Sequence, residues 1–338
     1  MATSKTNQTL NKANPTVSVI VPAYKVAPFI RETLDSVFAQ TFTDFEVIVI
    51  NDGSPDTVEL ENTIERYRHA ITYLKQANQG AGAARNAGLR VARGRYVAFL
   101  DGDDLWLPNF LNEQLKLIQS DGGYDLVYAD AVNFGDPASD GRTSMETNPS
   151  AGEVTFYKLL CGECNVITSA VVARKELIMR VGLFDVNFPN SQDFDLWLRL
   201  AKDARARITY QRRVLVRRRL YQGSLASDGV KSLEGELRVL EKMSRRADLT
   251  ARERAALERT VVARRTSAEV IRGKRFLLSG DFADAVRSFE SAHACIPSWK
   301  LRLVLWSLRL APRVTRQLYR ILESRSGDIS IRAWDHNP

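Results

Sequence analysis

The chain has 338 residues, 44% of them hydrophobic and 26% charged, which excludes a disordered chain. With 19 Gly and 11 Pro it is not collagen-like or low-complexity, and three cysteines cannot build a disulfide framework, so a reducing compartment is expected. The net charge of +8 is uneven: residues 1–204 sum to −7 and residues 205–338 to +15. A slightly acidic body with a basic tail implies two parts with different partners. The other reading of the tail is a solvated, Arg-rich helical surface. No helix-turn-helix, finger or RNA-binding motif accompanies the charge, so nucleic acid is not an expected partner. No run of about 18 apolar residues is present, so no membrane span is expected. Residues 1–15 are polar, lack the apolar core of a secretory signal, and read as a loose tail.

The N-terminal part alternates strands and helices. Residues 17–21 (VSVIV) form a β-branched run suited to a strand buried on both faces. A helix follows over 28–40, with Phe29, Ile30, Leu34, Val37 and Phe38 at helical spacing. Strands are expected at 45–50, 71–74, 96–100 and 125–129, and helices at 58–69, 82–92 and 108–119. This alternation gives an α/β class with a mainly parallel sheet. Residues 131–164 are turn-rich and read as a surface loop. Beyond them a strand is expected over 166–173, helices over 175–181 and 194–201, and a strand with a basic edge over 208–217.

From about 231 the pattern is helical only. Gly273, Phe276, Gly280, Ala285, Phe289, Ala292 and Pro297 follow the spacing of one tetratricopeptide-like helix pair, which needs neighbours to bury its face. Residues 299–321 mix Trp and Leu with basic residues, which suits a helix on an anionic membrane surface; packing on the body with Arg outward fits the composition equally. Pro312 breaks or kinks that helix.

Ligands of open α/β sheets bind beyond the carboxyl ends of the strands. Tyr24 follows the first strand, Asp52 the second, and Asp101-Gly102-Asp103-Asp104 the fourth. One ligand can touch all three groups. Crowded carboxylates repel unless a cation joins them, so a hard divalent ion, Mg²⁺ or Mn²⁺, with a diphosphate is one reading of the Asp cluster. A solvated turn is the other. Asp52 can accept hydrogen bonds from a base or a ribose, or simply form a turn. Gly80-Ala81-Gly82 leads into a helix whose Arg85 can meet phosphate. Asp193 opens a helix, where it can cap or act as a general base. Trp197 and Leu198 on that helix are expected to face a core. Cys161 and Cys164 have the spacing of half a zinc site, but no second pair exists.

Together these segments resemble family 2 glycosyltransferases of the GT-A fold. The matching pieces are VSVIVPAYK (17–25), VIVINDGSPD (47–56), NQGAGAARNAGL (78–89), ARGRYVAFLDGDD (92–104) and GLFD…SQDFDLWLRL (182–200). The resemblance spans about residues 16–225, taken as the catalytic domain, and leaves 226–338 as a basic helical extension. It implies inverting transfer of one sugar from a UDP-, GDP- or dTDP-sugar. Asp52 holds the base or ribose in a pocket walled by Pro22, Ala23 and Tyr24. Asp101 and Asp103, flanking Gly102, match the D-x-D motif, the first toward the ribose and the second toward the Mn²⁺ or Mg²⁺. Asp193 matches the base that deprotonates the acceptor. The family often has His where Tyr221 stands in this chain, and Glu where Gln192 stands. No Gln-x-x-Arg-Trp motif is present, which argues for single-sugar addition over processive synthesis. The resemblance implies a bacterial enzyme at the cytoplasmic face of the membrane. It would act on a glycan or lipid-linked acceptor in the synthesis of a surface or exported polysaccharide. A nucleotidyltransferase using a nucleotide triphosphate, or a non-catalytic scaffold working through the helical tail, are the alternatives.

Overall fold

The computed structural model describes residues 14–137, 140–221 and 228–326. They fall into two compact units, the first holding the described residues through Gly135 together with Asp140–Leu220, the second chiefly the chain from Tyr221 onward.

In the first unit the elements run β1 (Val17–Ala23), α1 (Ile30–Phe38), β2 (Phe45–Asp52), α2 (Thr57–Ile64), β3 (Ile71–Gln76), α3 (Ala81–Val91), β4 (Tyr96–Phe99), β5 (Leu105–Trp106), α4 (Phe110–Ile118), β6 (Leu126–Phe134), α5 (Ser144–Thr147), α6 (Phe156–Cys161), β7 (Val171–Arg174), α7 (Lys175–Arg180), α8 (Gln192–Lys202) and β8 (Ile208–Arg219). All eight strands join one sheet in the order β3-β2-β1-β4-β7-β6-β8-β5. The half built from β1 to β4 is parallel, as is the pair β6 and β8. Strand β7 runs antiparallel to β4 and to β6, and β5 antiparallel to β8. The sheet is therefore mixed, with four of its seven strand pairings parallel, as a mainly parallel sheet requires.

The parallel half forms for the reason its sequence suggests. Strands β1 and β2 are buried at nearly every position because helices cover both faces. Helix α1 buries Ile30, Leu34 and Val37, spaced by four and three residues, against them. The register sets Ala23 beside Asn51 and Asp52 beside Gln76, so the ends of β1, β2 and β3 open on one edge.

Two segments differ from the sequence reading. Residues 131–164 are not one loop. Strand β6 continues to Phe134 because its partner β8 is long enough to pair with it throughout. Helix α5 is nucleated by a capping box, in which Thr143 Oγ1 accepts from the Glu146 amide and Glu146 accepts from the Thr143 amide. Helix α6 is capped by the Thr155 side chain. The strand expected over 166–173 begins only at Val171, and Thr168–Ala170 form a 3₁₀ turn. That turn is held by tertiary hydrogen bonds: Trp106 Nε1 donates to the Ser169 carbonyl at 2.7 Å, and Gln114 Nε2 to the Ala170 carbonyl at 2.7 Å. Of the expected N-terminal tail, residues 1–13 lie outside the described residues.

The second unit is helical: α9 (Gly229–Ser244), α10 (Ala251–Ser279), α11 (Phe282–Cys295), α12 (Trp299–Leu310) and α13 (Pro312–Ser326). Helix α10 starts at a Thr250–Glu253 capping box and stops at Gly280 in the left-handed region. Its 29 residues are nearly the length of a whole tetratricopeptide unit of about 34. Only the α10–α11 turn keeps the repeat's logic. A Cβ on Gly273 would stand 2.9 Å from the Phe289 ring, so the missing side chain lets α11 approach. Val270, Leu277, Ala285, Phe289 and Leu301 form this unit's core. Pro312 breaks the 299–321 segment cleanly, because a proline at the first helical position lacks only an amide that would have no partner.

Candidate active site

The strand ends carry the chemistry. Beyond β4 the chain turns through Asp101–Asp104, closed by the Asp104 amide donating to the Asp101 carbonyl at 3.0 Å. Gly102 is required by close approach: a Cβ there would meet the Pro22 carbonyl oxygen at 3.0 Å and Val26 at 2.9 Å. The end of β1 and the Asp turn are thereby pressed together. Thr33 Oγ1, from α1, donates to the Gly102 carbonyl at 3.0 Å and fixes the turn from behind.

Pro22 and Ala23 end β1, and Tyr24 stands exposed just past them, with Lys25 Nζ 5.4 Å from its ring centre. The Tyr24 loop is tied to the neighbouring β2–α2 turn. The Lys25 amide donates to Ser54 Oγ at 2.6 Å and the Ala27 amide to Asp56 at 3.0 Å. Asp52 is buried, and its carboxylate accepts from Gln76 Nε2 at 2.7 Å, the Gln79 amide at 3.0 Å and the Gly80 amide at 2.8 Å. It therefore shapes the 76–80 turn that forms one rim of the site.

Arg85 projects from α3 beneath the Asp turn. Its Nη2 lies 2.5 Å from Asp101 Oδ1, and the residue is only 4% exposed. Its Nε and Nη1 are buried without a hydrogen-bond partner, and the guanidinium stacks at 5.6 Å over Phe184. Arg85 thus reaches the site through Asp101.

Asp193 lies in the first turn of α8, after Ser191, whose φ of 59° is left-handed. Thr168 Oγ1 donates to Asp193 Oδ2 at 2.8 Å, and the Phe194 amide donates to Oδ1 at 2.9 Å. The next residue in the 3₁₀ turn faces the Asp cluster: Ser169 Oγ accepts from the Asp101 amide at 3.2 Å and donates to Asp104 Oδ2 at 2.6 Å. One short turn therefore links Asp193 to the Asp101 amide and the Asp104 carboxylate. The α8 helix is anchored as its sequence suggests, with Trp197 and Leu198 buried. The Asp195–Arg199 ion pair stands beside them, and Arg199 also donates to the Val181 and Leu183 carbonyls at 2.6 Å.

The sequence reading placed Asp104 only within the Asp cluster, with no role of its own, and did not single out Thr168, Ser169 or Arg219. Asp104 is buried; Arg219 donates its amide to Asp104 at 2.8 Å and its Nε to the Asp103 carbonyl at 3.0 Å. Burial, with the charges of Asp101 and Asp103 added, pushes the Asp104 carboxyl up to about 8. Asp104 was visible as the last of four cluster residues. Nothing in the spacing of Thr168, Ser169 or Arg219 marks them.

Among the described residues no group of three or more His, Cys, Asp or Glu is placed to hold a metal ion. The donor set is Asp101 and Asp103. Two carboxylates suit a hard cation that completes its shell with substrate phosphate oxygens and water, so the residues present fit Mg²⁺ or Mn²⁺ bound together with a diphosphate. Tyr221 closes the described part of its segment, and residues 222–227 lie outside the described residues.

Residues 18–182 match the model of glycosyl transferase family 2. Over 232 residues the chain is 30% identical to an uncharacterized glycosyltransferase of Rickettsia prowazekii, covering 66% of this chain and 70% of that one. The chain belongs to glycosyltransferase family 2. This glycosyltransferase is also 30% identical, over 68% of its length and 88% of the relative's, to the UDP-Glc:alpha-D-GlcNAc-diphosphoundecaprenol beta-1,3-glucosyltransferase WfaP of Escherichia coli. It spans 37% of a longer uncharacterized glycosyltransferase from Rickettsia felis, at 31% identity. Two solved structures share its fold. Staphylococcus aureus TarS 1–349 in complex with UDP superposes with a TM-score of 0.58 at 20% identity, covering 93% of this chain and 92% of that one. The mannosyltransferase PcManGT of Pyrobaculum calidifontis, in complex with GDP-Man and Mn²⁺, gives 0.59 at 18% identity, covering 98% and 92%. The architecture is GT-A, and family membership decides for glycosyl transfer over the nucleotidyltransferase and scaffold readings.

Proposed function

We propose that this glycosyltransferase moves a single sugar, with inversion, from a UDP-sugar to the hydroxyl of a lipid-linked acceptor. The observation that carries the reading is the Thr168-Ser169 turn, which links the Asp101–Asp104 cluster at the end of β4 to Asp193 on α8. A donor lying across the strand ends has its nucleotide over Pro22, Ala23 and Tyr24, near Asp52, and its diphosphate near Asp101 and Asp103. Asp101, held by Arg85, meets the ribose. Asp103 and Asp101 would hold Mn²⁺ or Mg²⁺, which when bound would supply neutralising charge at the leaving diphosphate. Asp193 accepts the proton of the acceptor hydroxyl as its oxygen bonds to the anomeric carbon. The bond from that carbon to the diphosphate breaks, and nucleoside diphosphate leaves. A single carboxylate suffices because the transition state is oxocarbenium-like, as in sugar transfer to water.

The choice of UDP and of a lipid-linked acceptor draws on the activity named for WfaP and on the UDP complex of TarS. A GDP-sugar is the second reading, favoured by the GDP-Man complex of PcManGT. The test is a donor panel. Purified protein with Mn²⁺ or Mg²⁺ is mixed with UDP-, GDP- and dTDP-sugars, and thermal shift and nucleoside diphosphate release are recorded. The expected result is cation-dependent stabilisation by a UDP-sugar, lost in Asp103→Ala. A folded protein stabilised by no donor would overturn the proposal.

A further inference from the structure

Helix α12 is apolar on two opposite sides. Leu301, Leu305 and Leu308 are buried in the core of the helical unit. Trp299, Leu303, Trp306 and Leu310 recur with the same helical spacing yet are exposed, the two tryptophans at 70% and 63%. At 3.6 residues per turn the two stripes lie about 160° apart around the axis. One stripe accounts for the packing of α12, and the other is left to solvent.

Helix α13 repeats the arrangement. Val314, Leu318, Ile321 and Leu322 are exposed along one face. On its other side Arg316 Nε donates to the Leu278 carbonyl at 3.0 Å, and Tyr319 packs on the core, so the apolar face is turned away from the body of the unit. Isolated exposed apolar residues need no explanation, but eight in register on consecutive helices mark a binding surface.

The charge around this surface selects its partner. Residues 299–326 contain seven Lys and Arg against one Glu. On α12, Arg302 and Arg309 flank the exposed stripe on one side and Lys300 on the other, by the same helical arithmetic. Apolar residues bordered by long basic side chains match the layering of a membrane interface. The stripe enters the acyl boundary, tryptophan sits at headgroup depth, and the cations reach anionic phosphates. An anionic bilayer supplies both an apolar interior for the stripe and phosphates for the unbalanced positive charge around it. Among the described residues no helix is long and apolar enough to cross a membrane.

We propose that the exposed faces of α12 and α13 form a peripheral docking surface for an anionic lipid bilayer. None of its residues is assigned to donor binding or catalysis, so the proposal stands apart from the catalytic reading. The test uses the full chain and vesicles of phosphatidylcholine with or without phosphatidylglycerol. The protein should sediment with the anionic vesicles, with a blue shift of tryptophan emission. Raising salt should weaken the binding, and neutral vesicles should retain at least tenfold less protein. Trp306→Glu combined with Leu310→Glu should abolish sedimentation with its thermal midpoint and donor-dependent nucleotide release unchanged. If the double variant loses its thermal transition, Trp306→Gln alone should lower binding several-fold. No partition onto anionic vesicles would overturn the proposal. So would a concentration-dependent dimer in light scattering that the same variants abolish, since a second copy would then be what covers this face.

Discussion

Arg85 and Asp101 form an ion pair 2.5 Å long in which the cation is buried and the carboxylate is 38% exposed at its side chain. The asymmetry sets what each substitution does. Asp101→Ala strands a guanidinium that already has two donor atoms without partners. Breaking a buried pair by removing one member costs about 3 kcal/mol, so this variant should have a clearly lowered denaturant midpoint besides losing activity. Arg85→Lys keeps the charge but loses the planar fork, and should cut kcat/KM by roughly tenfold through a misplaced Asp101. Equal stability of wild type and Asp101→Ala would show that Arg85 does not depend on this carboxylate.

Asp193 and Thr168 are predicted to separate chemistry from donor binding. A general base contributes on the order of 10²–10⁴ in rate, so Asp193→Ala should lose that much of kcat. Stabilisation by the donor should persist, since the expected donor contacts lie on other residues. Thr168→Val removes the hydroxyl that donates to Asp193 and should cost roughly tenfold in kcat through a misplaced carboxylate. Single-turnover transfer rates, with donor affinity from thermal shift, distinguish the two effects.

The sequence analysis located β1, β2 and β4 because their apolar runs are buried from both sides and end at polar turns that the pattern itself announces. Asp52, Asp101 and Asp103 stand out as charged residues at such ends, and Asp193 as an acidic residue opening a helix. The 3₁₀ turn at 168–170 did not, since VITSAVVA has the β-branched content of a strand. It is diverted from one by Trp106 and Gln114, more than fifty residues upstream, which capture its carbonyls. Arg219 is hidden in the same way, in a basic strand where nothing local distinguishes the arginine that meets Asp104. Helix α5 is the opposite case: Thr143 and Glu146 state a capping box outright, masked by the glycines and prolines around it.

Asp104 gives the apo protein a pH-dependent stability. Its carboxyl is pushed from 3.8 up to about 8, first by burial and then by the charges of Asp101 and Asp103. The folded state therefore holds this proton more tightly than the unfolded chain. The resulting stabilisation is full below about pH 4 and is lost progressively as pH rises through about 8. Thermal midpoints in the presence of a chelator should fall across that window. Asp104→Asn, which keeps the shape and an acceptor for the Arg219 amide, should flatten the fall. An unchanged slope would assign the dependence to other groups.

The α10–α11 pair is predicted to be governed by one aromatic fit. Phe289 is fully enclosed, and its ring occupies the space that Gly273 leaves open. Phe289→Ala removes the ring and leaves a cavity, at a cost of about 3–5 kcal/mol. Gly273→Val has the opposite fault: its Cβ would stand 2.9 Å from three ring atoms, forcing α11 outward, and overpacking of this kind costs about 1–3 kcal/mol. If the contact is what joins the helices, the two costs are not additive. With the ring gone, the space that valine needs is free, so the double variant should be more stable than Phe289→Ala alone. Denaturant titration of the four proteins closes the cycle, and strict additivity would show that Gly273 is small for some reason other than Phe289.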